Sequence, residues 1–171
     1  MPEIKQHVWL CGFMGCGKST VGKLLAKLCG VQFYDMDHFI EQKTGMRIPD
    51  IFAGMGESYF RKLENQTITE LCASPPCVVA TGGGAMVSAK NAAEAKKNNG
   101  VIVFLDIPFE TCYDRIQYSD RPIVQNSTQE KLRQLYLERR TSYTSHADIV
   151  FGQVLSPMET AQELAYKIAL S

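Results

Sequence analysis

Along the chain, short and wholly apolar runs alternate with stretches in which apolar residues return every three or four positions. The first run is Val8, Trp9, Leu10 and Cys11; beyond it Val21, Leu24, Leu25 and Leu28 mark one face of a helix that begins near Lys18. A second strand pattern covers residues 31–37, followed by a helix over residues 38–43 that Thr44 and Gly45 close. Ile48 opens a short helix with Pro49 in its first turn. A longer one is predicted from about residue 57 to 71, with Phe60, Leu63, Thr67 and Leu71 on its buried stripe. Residues 77–81 and 101–106 are apolar runs suited to parallel strands covered on both faces. After a helix over residues 109–117, the stretch 118–126 lacks apolar periodicity and is predicted to be an exposed, mobile loop. A capping box at residues 127–130 starts the next helix, whose stripe is Leu132, Leu135, Tyr136, Arg139 and Tyr143. The pattern ends with a strand at residues 148–151 and a helix opened by a capping box at Ser156 and Glu159. Its apolar face is Met158, Ala161, Leu164, Ala165 and Ile168. Such alternation of strand and helix belongs to an α/β fold with a parallel sheet.

Chemistry gathers where the apolar runs end. Gly12, Gly17, Lys18 and Ser19 fit the phosphate-binding loop pattern, and a strand before it with a helix after it is the context that pattern requires. Glycines let successive amides turn toward phosphate oxygens and the helix start adds its positive end. The lysine bridges the β- and γ-phosphates, and the serine hydroxyl ligates Mg2+. Asp35 and Asp37, two apart on a segment read as extended, face one way at the carboxyl end of a strand. They serve the metal's water shell and a substrate hydroxyl, or Asp37 only caps the helix after it. Arg61 and Glu64 lie one turn apart, as a surface pair or a functional one; cation before acid is the less favourable order for the helix itself. Gly82, Gly83 and Gly84 follow a strand directly, where residues without side chains either let a ligand lie against the main chain or form a flexible linker. Arg121 stands in the polar loop, either to reach charge developing on a transferred phosphoryl group or to remain solvated. Arg139 falls on an apolar stripe and needs an anionic partner unless it snorkels to the surface.

Composition narrows the classes. A chain of 171 residues, 45% hydrophobic, suits one domain over residues 1–171. Lysine plus arginine and aspartate plus glutamate are 18 each, so no bulk attraction to nucleic acid or membrane is expected. No run approaches the roughly 18 apolar residues that span a bilayer, and the first strand leaves no room for a leader, so a cytoplasmic location is expected. The six cysteines lack metal-site spacing and are read as reduced core residues.

Taken in order, these residues resemble those of the shikimate kinase family over essentially the whole chain: residues 12–19, Asp35 and Asp37, the segment 44–52, Phe60, Arg61 and Glu64, the three glycines, and Arg121 with Pro122. The resemblance implies a three-layer αβα P-loop kinase fold. Its five-stranded parallel sheet has the order 2-3-1-4-5, its substrate-binding region covers about residues 37–64, and its mobile lid about residues 118–127. It implies transfer of the γ-phosphoryl group of ATP to the 3-hydroxyl of shikimate with Mg2+, in aromatic amino acid biosynthesis. A cytoplasmic monomer with no nucleic-acid or membrane partner is implied as well. By resemblance, ATP is held by Gly12, Gly15, Cys16, Gly17, Lys18, Ser19, Thr20, Arg115 and Arg121, with Arg115 stacked on adenine. Ser19, and Asp35 through water, serve the metal. Asp37, Arg61, Glu64, Gly82, Gly83, Gly84 and Arg139 bind shikimate; the two arginines hold its carboxylate and Glu64 orients Arg61. Lys18, Asp37 and Arg121 are the catalytic set.

The sequence departs from the family pattern at Cys16, at residues 122–124 and at residues 141–146. Two rival readings share the phosphate loop. A kinase for another hydroxy acid such as gluconate is disfavoured by Arg61, Glu64 and the glycines, and a nonenzymatic nucleotide switch by Asp35 and Asp37. Cys16, a thiol among inward-pointing amides, is expected to be reactive when the site is empty.

Overall fold

The computed structural model describes residues 2–170, apart from the side chain of Pro122. Residues 1 and 171 of the single domain expected over 1–171 lie outside the described residues. The strands are β1 (Val8–Cys11), β2 (Gln32–Asp35), β3 (Cys77–Ala80), β4 (Val101–Leu105) and β5 (Ile149–Phe151). They pair in parallel in the order β2-β3-β1-β4-β5, the order the family resemblance implied. The helices are α1 (Lys18–Cys29), α2 (Met36–Thr44), α3 (Ile48–Met55), α4 (Glu57–Cys72), α5 (Ala89–Lys96), α6 (Phe109–Ile116), α7 (Pro122–Gln125), α8 (Gln129–His146) and α9 (Pro157–Ala169), with a 3-10 turn at Ala85–Val87.

The strands are apolar at every position in the middle of the sheet because both of its faces are covered. Val8 and Leu10 of β1 join Val101, Val103 and Leu105 of β4 in one core, closed by Leu25 and Ala26 of α1 and Leu164 and Ile168 of α9. Trp9 and Cys11 point the other way, with Ile102 and Phe104, against Ile68 and Leu71 of α4 and Ala92 and Ala95 of α5. Helix α8 serves both cores, Leu132 and Tyr136 in the first and Tyr143 in the second. A small third cluster of Ile40, Ile51 and Phe60 ties α2, α3 and α4 into a separate wall. Leu10 and Asp35 are both level with Ala80, so the segments that leave β1, β2 and β3 emerge side by side at one edge of the sheet. Ligands of open α/β sheets gather at that edge.

Several local expectations are corrected. Asp35 ends β2 and caps α2, its carboxylate accepting from the His38 amide at 3.2 Å; Asp37 lies in the first turn of that helix, not on an extended segment. The stretch 118–126 contains α7, whose Val124 is 7% exposed and packs in the first core, so the segment is not an exposed loop throughout. The α8 cap is Thr128, which accepts from the Lys131 amide at 3.2 Å, so no capping box forms at residues 127–130. Met158 is 41% exposed and leaves the buried face of α9 to Thr160, Ala161, Leu164, Ala165 and Ile168. Helix α5 has no apolar stripe to announce it, and rests on alanine propensity and the Ser88 cap.

Candidate active site

The phosphate-type loop leaves β1 and curls because Gly12, Gly15 and Gly17 take φ values of 151°, 80° and 100°, angles that side chains disfavour. Gly15 also backs directly on α6: a Cβ there would lie 2.8 Å from the Cys112 carbonyl oxygen. Helix α1 starts on Gly17 with no side-chain cap. Among the described residues the amides of Gly15, Gly17, Lys18 and Ser19 have no protein acceptor. Orphan amides at a helix start make a ready anion site. Lys18 Nζ donates to the Gly12 carbonyl at 2.6 Å and the Phe13 carbonyl at 3.3 Å, which keeps the cation within the loop. Ser19 Oγ donates to Asp35 Oδ2 at 2.8 Å, joining the loop to the end of β2.

A pocket of about 610 Å3 opens beside this loop. It brings together Asp37, Arg61, Glu64, Gly82, Gly83, Gly84, Arg121 and Arg139, all of the acceptor residues predicted from sequence together with the lid arginine. The glycines matter by what they admit. A Cβ on Gly82 would lie 2.9 Å from Asp37 Oδ1 and 3.1 Å from Glu64 Oε2; on Gly83, 2.9 Å from Arg139 Nη1; on Gly84, 2.5 Å from Arg61 Nη1. Two carboxyl groups and two guanidiniums therefore press onto bare main chain.

Glu64 is fully buried, so its bond to Arg61, 2.6 Å from Nη1 to Oε1, is no surface pair. Burial raises the Glu64 carboxyl above its ordinary range, Arg61 pulling the other way, and the carboxylates of Glu64 and Glu57 hold the Arg61 guanidinium charged against its own burial. Burial also raises Asp37, helped by the charges of Asp35 and Glu41 and opposed by Lys18 and Arg121. Asp37 Oδ1 and Glu64 Oε2 are buried without a hydrogen-bond partner; such atoms are costly unless a ligand supplies the donor. Arg140 forms a bidentate pair with Asp106 at 2.8 and 2.7 Å, which fixes α8 with Arg139 turned into the pocket.

Other predicted residues sit elsewhere. Thr20 is exposed in the first turn of α1. Arg115 of α6 donates to the Gly15 carbonyl at 2.8 Å, bracing the phosphate loop from outside. Cys16 is 4% exposed and buried under the loop, 3.8 Å from Lys18 Nζ, so a reagent reaches it only when the loop opens. That burial works against the reactivity expected of Cys16 with the site empty. Its neighbours Cys11 and Cys112 are each pushed up to about 12, chiefly by burial.

Met14, Arg47, Pro49, Glu57, Asp120 and Ile123 also line the pocket; sequence reasoning had their segments, residues 12–19, 37–64 and 118–127, but did not single them out. The apolar rings of Phe52 and Phe60, 4.8 Å apart between centroids, form another wall. Proline in the first turn of α3 was the one signal that the chain is held rigidly there.

Residues 14–169 match the family model of shikimate kinase. The chain is similar to the shikimate kinase of Sulfurihydrogenibium sp. (strain YO3AOP1), at 40% identity over 95% of this chain and 98% of that one. Among solved structures it is similar to shikimate kinase from Acinetobacter baumannii in complex with shikimate, at 40% identity and a TM-score of 0.84, covering 95% of this chain and 90% of that chain. A gluconokinase from Sinorhizobium meliloti 1021 is 15% identical, with a TM-score of 0.60 over 98% of this chain and 94% of that one, and shares the fold alone.

Proposed function

The chain belongs to the shikimate kinase family, and from that premise we propose that it transfers the γ-phosphoryl group of ATP to the 3-hydroxyl of shikimate, giving shikimate 3-phosphate and ADP. The reaction is a step of aromatic amino acid biosynthesis. The observation that carries this reading is the pairing of Arg61 and Arg139 over adjacent glycines in one pocket with the buried Asp37 carboxyl and the phosphate loop. Two guanidiniums suit a carboxylate, and a partnerless buried carboxylate oxygen suits a hydroxyl donor.

The loop amides would hold the phosphates, and Lys18 would exchange its own loop's carbonyls for the β- and γ-phosphate oxygens. Arg61 and Arg139 would fix the acceptor by its carboxylate, with Glu64 holding Arg61 in place. Asp37 would receive the hydroxyl proton as the hydroxyl oxygen bonds to phosphorus and the bond to the ADP oxygen breaks. Arg121, which also lines the pocket, would neutralise charge on the moving phosphoryl group as the lid closes and excludes water. Mg2+ fits Ser19, whose hydroxyl already donates to Asp35 and keeps a lone pair for a cation. Among the described residues no cluster of three or more His, Cys, Asp or Glu competes for it. When bound, the ion would neutralise the β- and γ-phosphates. Action on small molecules as a cytoplasmic monomer goes with this reading. Among the described residues no helix is long and apolar enough to cross a membrane, and the six cysteines are free thiols.

A coupled assay of ADP release with shikimate, with gluconate and with neither tests the reading. Release with shikimate alone is expected; release with gluconate alone, or none despite nucleotide binding, would overturn it.

A further inference from the structure

Three of the carbonyls that follow β3 are met by side chains of α5 and α8. The Tyr143 hydroxyl donates to the Gly83 carbonyl, Asn91 Nδ2 donates to the Ala85 carbonyl at 2.9 Å, and His146 Nδ1 lies 2.8 Å from the Met86 carbonyl. Tyr143 is 1% exposed and packs its ring on Phe104, 5.2 Å between centroids, outside the pocket lining. The Gly83–Gly84 peptide is trans, and in a planar trans peptide the N–H points opposite to the C=O. A Gly83 carbonyl turned toward Tyr143 in the core therefore turns the Gly84 amide outward, to the pocket that both glycines line. Among the described residues that amide has no protein acceptor. Arg139 stands against Gly83 and Arg61 against Gly84, so a guanidinium meets each of the two residues that this peptide joins.

We propose that Tyr143 is a positioning residue for the acceptor, its hydroxyl holding the Gly83–Gly84 peptide so that the Gly84 amide faces the substrate between Arg61 and Arg139. Helix α8 then acts on one glycine through two side chains one turn apart, Arg139 and Tyr143, which also meet each other. Burial raises the Tyr143 phenol above its ordinary value, so the hydroxyl keeps the proton it donates. The inference rests on reading this pocket as the shikimate site.

Tyr143→Phe keeps the ring in the core and removes the hydroxyl, and with it the bond to the Gly83 carbonyl and the contact with Arg139. The KM for shikimate is expected to rise about tenfold, with the KM for ATP and kcat within about twofold of the parent. His146→Ala is the comparison: it cuts the tie to Met86, which does not line the pocket, and is expected to leave the shikimate KM within about twofold. An unchanged shikimate KM in Tyr143→Phe, an equal rise in both substrates' KM, or an equal effect of His146→Ala would overturn the proposal. Should Tyr143→Phe not fold, the parent protein still decides: the Gly84 amide resonance is expected to shift on adding shikimate, and indifference to saturating shikimate overturns the idea. A parent that releases no ADP with shikimate refutes the functional reading instead. An active parent with an unchanged Tyr143→Phe refutes this inference alone.

Discussion

At the scale of single residues, Asp37 works against the stability of the chain. Its carboxyl is held above its ordinary range by burial first and then by the nearby Asp35 charge, so the folded protein binds that proton more tightly than the unfolded chain does. The stability this provides is complete below the ordinary carboxylate value and is lost as pH rises through the raised one. Asp37→Asn removes the loss. The variant is expected to melt higher than the parent at pH 7, with the gap closing as melts are taken below the ordinary aspartate range; a variant that melts lower at pH 7 would sink the argument. The same substitution is expected to lower turnover by at least about 100-fold while nucleotide affinity holds, and near-normal turnover would remove Asp37 from catalysis. The places of Lys18 and Ser19 in the loop and of Arg61 in the pocket could be read from sequence because residue type and spacing mark them. The burial of Glu64 could not, since glutamate usually marks a solvated face and only the bare glycines opposite make room for it.

At the scale of elements, the phosphate loop shows where a glycine serves function and where it serves only a turn. Gly15 has φ 80°, and a Cβ would strike the Cys112 carbonyl oxygen and Ile116 Cγ2, both at 2.8 Å; Gly30, at the end of α1, has φ 67° and open space around it. Left-handed backbone costs a side chain about 1–2 kcal/mol, and Gly15→Ala adds a clash with main chain. Nucleotide Kd is expected to rise at least about tenfold in Gly15→Ala, together with a lower melting temperature. Gly30→Ala is expected to lower the melting temperature alone. Calorimetric titration of both variants checks this; equal nucleotide affinity in the two would show that the loop tolerates the shift. The loop, the strand β1 and the capping box of α9 were legible because each is set by local chemistry. The start of α2, the Thr128 cap and the anchor at Val124 were not, because tertiary contacts settled which of several adjacent residues ends an element.

At the scale of the whole molecule, alternating pattern gives a parallel sheet but not the order of its strands, which came from resemblance; long-range pairing leaves no mark on any one segment. The same remoteness makes the site a cross-link. Its walls come from the phosphate loop, from α2 to α4, from the three glycines, from the lid and from α8, so a ligand that touches them all binds only the folded chain. Free shikimate at 100 times its Kd would add about 2.7 kcal/mol, a rise in melting temperature of about 5–10 °C for a domain of this size. Arg139→Ala removes a charged hydrogen-bond donor worth about 1.5–3 kcal/mol, and so is expected to abolish most of the rise with shikimate while keeping the rise with nucleotide. Thermal melts of parent and variant with each ligand separately measure it. If the variant lost both rises equally, Arg139 would be holding the fold of α8 and not the acceptor, and the two-arginine cradle would reduce to Arg61 alone.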